Sequence, residues 1–167
     1  MANKKSLKRE IVELVLAFFI AWLAYQSLAV VAGTPLPIVS VVSDSMYHTS
    51  YFDKWWTNTN GYYTNIGITE GQFMKFAAPN GLSRGDLLFV VKPDNLKPGD
   101  ILIYNKFGSA FTIVHRLVEI QKDAYIVKGD NNQIPDPPVA KQYVVGKVVF
   151  AVPILGYPRL ILHLFGI

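Results

Sequence analysis

Two patterns of apolar residues divide the chain. Residues 14–32, LVLAFFIAWLAYQSLAVVA, run nineteen positions without a charge. Apolar side chains on every face predict a helix without a polar side. At 1.5 Å per residue it reaches about 28 Å, close to the thickness of a hydrocarbon layer. Beyond it the runs shorten to IVSVV (38–42), DLLFVV (86–91), DILIY (100–104), TIVHRLVEI (112–120), AYIVKG (124–129) and YVVGKVVF (143–150). Each is rich in Val and Ile and bounded by turn formers, which predicts strands. Two follow turns ending in Gly-Asp, SRGD and LKPGD, where Gly supplies the turn and Asp bonds nearby backbone. The expected fold is mostly β, a folded-over sheet or partial barrel behind one N-terminal helix.

Residues 47–81 depart from this pattern. They hold nine of the 22 aromatic residues, among them Trp55 and Trp56. Ser50-x-x-Asp53 and Thr69-x-x-Gln72 both read as capping boxes, so a small insert with two short helices is expected, with a turn at Asn60-Gly61. Its aromatics either pack on one another or lay Trp55 and Trp56 against lipid headgroups. The apolar tail, 154–167, is broken by Pro158 and leaves nine residues, at most about 14 Å of helix, too short to span a bilayer. A terminal strand followed by a short interfacial helix is expected there.

Composition adjusts the picture in three ways. Apolar residues are 51% of the chain and mean hydropathy is +0.26, in keeping with a membrane segment. There is no cysteine, which excludes disulfides, thiolate metal sites and cysteine nucleophiles. The net charge of +4 is concentrated in the first ten residues, where Lys4, Lys5, Lys8 and Arg9 stand against Glu10, leaving 12 basic and 11 acidic groups in the remainder. A short basic cluster is not a groove lining, so nucleic acid is not an expected partner. Positive charges stay on the cytoplasmic side. Residues 1–13 are therefore expected inside, 14–32 across the membrane and 33–167 outside. Ser45 follows Ala32 by 13 residues, a reach of at most about 43 Å, so it acts near the outer membrane surface.

Candidate chemistry starts at VVSDSM, where Ser43 and Ser45 end a β-branched run. A serine nucleophile needs a base from another segment. Of the three histidines, His48 shares the serine's own segment and His163 lies in the apolar tail. His115 sits within a predicted strand, sharing a face with Ile113 and Leu117 while Arg116 faces the other way. A neutral imidazole base also needs an acceptor on its second nitrogen. The turn-rich loop KGDNNQIPDPP offers Asp130 and Asp136. His115 with one or two distant Asp residues is too sparse a ligand set for a metal site.

Taken in order behind one anchor, VVSDSM, RGDLLFV, IVHRL, VKGDNN with its following Asp, and VGKVVFAVPILG resemble type I signal peptidases. The likeness is to the archaeal and endoplasmic-reticulum kind, in which His replaces a Lys base. This resemblance implies a cofactor-free serine endopeptidase that cuts signal peptides from secretory preproteins after small residues. It makes Ser45 the nucleophile and His115 the general base, with Asp130 and Asp136 as the acidic members. Either Asp is left as the one that orients His115. It also implies that the Ser43 hydroxyl joins the Ser45 N–H in binding the oxyanion. The cleavage region would add as a strand along residues 38–43, with Ile38, Val39 and Val41 as wall material.

The sequence departs from the family at Asp44, where Gly is usual, at His48, where Pro is frequent, and in the insert. Membrane lipid and partner subunits are compatible partners, and the expected location is the plasma membrane or an equivalent secretory membrane. Two other readings stand beside this one. One makes Lys128 or Lys106 the base. The other is a non-catalytic anchored module of the same fold that binds extended peptides.

Overall fold

The computed structural model describes residues 4–106 and 111–165, with side chains 4–6, 163 and 164 set aside. The Lys4, Lys5 and His163 side chains and the last two residues of the tail thus lie outside the described residues. Helix α1 runs Lys4–Ala32, ten residues earlier than the uncharged run. Its segment Leu7–Ala32 is long and apolar enough to cross a membrane, and none of that apolar window is buried in the protein. The helix ends in a paired cap: Thr34 N–H bonds Ala29 O and Gly33 N–H bonds Val30 O, both at 3.2 Å. The chain does not then extend as a free arm. Lys92 N–H bonds Ala32 O at 2.9 Å and Thr34 Oγ1 donates to Val145 O at 2.9 Å, joining the helix end to the sheet.

The predicted strands form: β1 (Ile38–Ser40), β2 (Leu87–Val91), β3 (Ile101–Asn105), β4 (Thr112–Ile120), β5 (Ala124–Lys128) and β7 (Val144–Val152). The sequence reading missed β6 (Val139–Ala140), which follows directly on Pro137-Pro138 and at two residues is too short to carry a pattern. All pairings are antiparallel, in the order β1-β2-β7-β3-β4-β5-β6. Both Gly-Asp turns form alike, with Gly85 and Gly99 at φ +85° and +98°. Asp86 accepts from Ser83 N–H at 2.8 Å and Asp100 from Lys97 N–H at 3.0 Å.

Strand β3 is buried on both faces, which explains its unbroken apolar run. Ile101 and Ile103 join Val41, Met46, Leu88, Val90 and Val148 on one side. Leu102 and Tyr104 join Leu117, Val127 and Val139 on the other. The register Leu102↔His115 and Ile101↔Arg116 carries this division on to β4. His115 therefore takes the Leu102 face and Arg116 the opposite one.

The insert folds as α2 (Phe52–Asn65) and α3 (Glu70–Phe73). The Thr69/Gln72 capping box forms. The Ser50/Asp53 box does not, because α2 starts one residue later, with Tyr51 at its cap and no side-chain bond. Asn60-Gly61 lies inside α2 rather than in a turn. A helical glycine costs about 1 kcal/mol against Ala, and the burial of Trp55, Trp56 and Tyr63 around it outweighs that. The lipid-headgroup reading of the two tryptophans is overturned: Trp55 and Trp56 are only 2% and 5% exposed. They pack on Phe52, Tyr63 and Phe73. After β7 the tail forms a short helix, α4 (Tyr157–Leu164).

Burial of this kind makes Trp56→Ala a core deletion. It is expected to lower stability by about 3–5 kcal/mol, measured by urea unfolding in detergent. A tryptophan serving only lipid would leave the unfolding midpoint unmoved.

Candidate active site

The serine loop follows β1. Val41 N–H bonds Asp86 O at 2.9 Å and Val41 is buried, so the backbone is held to the first Gly-Asp turn just before the serines. The two hydroxyls lie together, Ser43 Oγ 3.2 Å from Ser45 Oγ. Asp44 points away from them into a two-pronged ion pair with Arg84, at 2.8 Å to Nε and 2.6 Å to Nη2. Positive φ among the described non-glycine residues is confined to Ala78, Asn95 and Ile154, so Asp44 replaces the usual Gly without left-handed backbone.

A second loop grips this one from below. Asn131 N–H bonds Ser45 O at 2.8 Å and Asn131 Nδ2 donates to Asp44 O at 3.1 Å. A Cβ on Gly129 would stand 2.7 Å from Ser45 O, so only glycine allows this approach. The register Arg116↔Lys128, continued by one residue, sets Gly129 opposite His115. Ser45 and His115 thus flank the same point of the sheet.

His115 is buried, 4% exposed. Its Nδ1 contacts Asp136 Oδ2. A carboxylate only accepts, so Nδ1 carries the proton and Nε2 is the basic nitrogen. Among the described residues nothing bonds that Nε2, and no hydrogen bond yet joins it to Ser45. Tyr104 Oη donates to the same Asp136 oxygen at 2.5 Å and lies 3.1 Å from Nδ1. Burial alone would push the Asp136 carboxyl up, but hydrogen bonds from His115 and Tyr104 hold it below its usual range. Burial, with the bond to Asp136, pushes the Tyr104 hydroxyl well up.

Asp130 is placed elsewhere, completely buried on the opposite face of β4. Its Oδ1 accepts from Arg116 Nε at 2.8 Å and Tyr63 Oη at 3.1 Å. Its Oδ2 accepts from Arg116 Nη2 at 2.6 Å and His48 Nε2 at 3.0 Å. Burial would raise this carboxyl, but the charge and hydrogen bonds of Arg116, with His48, hold it far below the ordinary value. Of the two acidic residues marked in the sequence, the structure brings Asp136 to His115 and assigns Asp130 to Arg116. The lysines are also placed. Lys128 Nζ donates to Gly129 O at 3.1 Å beneath the Tyr63 ring, and burial pushes it down to about 8. Lys106 is exposed.

Two clefts run along the serine loop. One of about 250 Å³ is lined by Val39, Val41, Ser43, Ser45, Met46 and Val114. A wider one, about 600 Å³, shares Val39, Ser40 and Val42 with it and continues past Ile38 to Tyr25 of α1 and Pro158 of α4. Among the described residues, strand β1 pairs only with β2, so its other edge faces this groove. Among the described residues, no cluster of His, Asp and Glu could hold a metal ion.

Sequence reasoning missed Tyr104, Arg116, Tyr63 and His48 as parts of these networks. The available signal was Arg116 between Val114 and Val118 on an otherwise apolar strand face. A charge so placed calls for a buried partner.

No protein-family model matches the chain. The chain is similar to the signal peptidase complex catalytic subunit sec11 of Sclerotinia sclerotiorum, with 27% identity over 97% of this chain and 84% of that protein. It is likewise similar to the signal peptidase complex catalytic subunit SEC11 of Colletotrichum graminicola, 26% identical with the same coverage. These relatives carry the same enzyme name that the motifs suggest, and the likeness runs through nearly the whole chain.

The Asp130 cluster makes a pH-dependent prediction. A carboxyl depressed by folding stabilises above its unfolded value, near 3.9, and that contribution is lost as pH falls below it. Asp130→Asn is expected to cost about 3–5 kcal/mol at neutral pH, because Arg116 is left uncompensated. Its deficit relative to wild type should shrink as pH drops below about 4. Urea unfolding of both proteins across pH 3–7 measures the difference, and a constant gap would contradict this account.

Proposed function

We propose that this chain is a membrane-anchored serine endopeptidase that cleaves signal peptides from secretory preproteins after small residues. The observation that carries the reading is the His115–Asp136 pair. Its proton lies on Nδ1, beside a serine loop whose backbone is fastened at the same level of the sheet. In this reading Ser45 Oγ attacks the scissile carbonyl and its proton passes to His115 Nε2, which later delivers it to the leaving amine. Asp136 fixes the imidazole tautomer and balances the imidazolium. The oxyanion is met by the Ser45 N–H and the Ser43 hydroxyl. Asp130 acts one step removed, holding the segments that carry these groups.

The substrate lies extended along the open edge of β1, its side chains entering the cleft lined by Val39, Val41 and Met46. The small size of that cleft favours small residues next to the cut. Helix α1 spans a secretory membrane with its N-terminus in the cytoplasm, which puts the catalytic domain on the outer face. Lipid and partner subunits belong to this reading too, since the relatives named above are called subunits of a complex. A peptide-binding module would have no use for the His115–Asp136 pair. The lysine alternative meets Lys128 already engaged by Gly129 O.

Detergent-solubilised protein incubated with a model secretory precursor should cut after a small residue, mapped by mass spectrometry. Ser45→Ala and His115→Ala should each lower the rate by about 10⁴-fold or more while the fold is kept. Near-wild-type cleavage by either variant would sink the proposal.

A further inference from the structure

The Asp136 backbone is tied to β5 by its N–H bond to Val127 O at 2.9 Å, but its side chain borders solvent and is 25% exposed. It forms part of the wall of a cavity of about 410 Å³ together with Tyr104, Lys106, Pro137, Pro138 and Tyr143. The carboxylate can therefore turn toward water, or toward the exposed Lys106 ammonium, and leave His115 without its carboxylate partner. Lys106 is near enough to favour the charged form of Asp136. Besides the bond to His115 itself, a second contact opposes that rotation. Tyr104 is buried, and its hydroxyl reaches Asp136 Oδ2 at 2.5 Å, the oxygen that also receives His115 Nδ1–H. Strand β3 pairs with β4 without interruption, Leu102↔His115 and Tyr104↔Ile113, which puts Tyr104 on the same face as His115 and one step along from it.

We propose that Tyr104 is a positioning residue for the reaction: its hydroxyl latches Asp136 on to His115 Nδ1 and withholds that carboxylate from Lys106 and from solvent in the adjoining cavity. The inference rests on the protease reading for its effect on rate, but the latch itself is a property of the resting protein. Tyr104 has a single proton, and the shorter contact gives it to Asp136. Its oxygen then faces Nδ1–H as a second acceptor. Both contacts favour the same imidazole tautomer, the one that leaves Nε2 free to take a proton.

Full-length protein in detergent, labelled with ring-¹⁵N histidine, separates the possibilities, since ¹⁵N shifts distinguish the two neutral tautomers. A His115→Ala spectrum identifies the resonance. Wild type should show one tautomer at His115, with the proton on Nδ1. Tyr104→Phe keeps the buried ring and removes the latch. It should show a mixture of tautomers, a kcat lower by about tenfold and an unchanged KM, a fraction of what complete loss of an orienting carboxylate costs. Adding Lys106→Met to Tyr104→Phe should restore part of both. A wild-type His115 signature in Tyr104→Phe overturns the latch, whatever happens to kcat. A tautomer response in a protein that cleaves no precursor would uphold the latch and overturn the proposed activity instead.

Discussion

The structure turns on one buried ion pair, Arg116 with Asp130. A guanidinium has five N–H donors, and all five are used: two on Asp130, the others on the carbonyls of Ala77, Ala78 and Gly99. A carboxylate has about four lone-pair positions, and here Arg116 fills two while Tyr63 and His48 take the others. Removing two charges from water costs several kcal/mol each, and only full mutual satisfaction offsets it. The partners come from separate parts of the chain: the serine loop, α2, the end of the insert, the second Gly-Asp turn, β4 and the loop after β5. Packing alone would not select their relative placement. The Arg116 fork, lying 4.7 Å from the centre of the Phe73 ring, also joins this polar knot to the aromatic core of the insert.

Strand β4 thereby performs two tasks with adjacent residues. Alternation sends Arg116 to the face where the scaffold is tied and His115 to the face where Asp136 and Tyr104 wait. Gly129, Asp130 and Asn131 repeat the division along one loop. Gly129 and Asn131 meet Ser45 itself while the Asp130 side chain turns inward to Arg116. Loss of the inner contact would therefore loosen both sides of the proposed site, though Asp130 touches neither Ser45 nor His115.

Much of this was legible in the sequence, because the responsible forces are local or periodic. Six strands followed from Val- and Ile-rich runs, both Gly-Asp turns from their residue chemistry, and the Thr69 cap from its spacing. Where tertiary burial competed with a local signal, burial won. Phe52, Trp55 and Trp56 set where α2 begins, and Asn60-Gly61 was absorbed into it. The choice between Asp130 and Asp136 could not be read, since both lie in one loop six residues apart and only the third dimension separates them. Arg116 and Tyr104 were hidden for a related reason. Their partners are distant in sequence, and a strand pattern records which face a side chain takes but not what it meets there.

The junction between α1 and the sheet has a mechanical consequence. Its capped end, the Lys92–Ala32 bond and the Thr34–Val145 bond tie the end of the helix directly to the end of β2 and to β7. The two move as one lever. With α1 in a bilayer, any change in its tilt, whether from a thicker membrane or a neighbouring helix, swings the serine loop through an arc above the lipid. Under the proposed activity, the depth at which an extended chain would meet Ser45 is then a property of the membrane as much as of the protein.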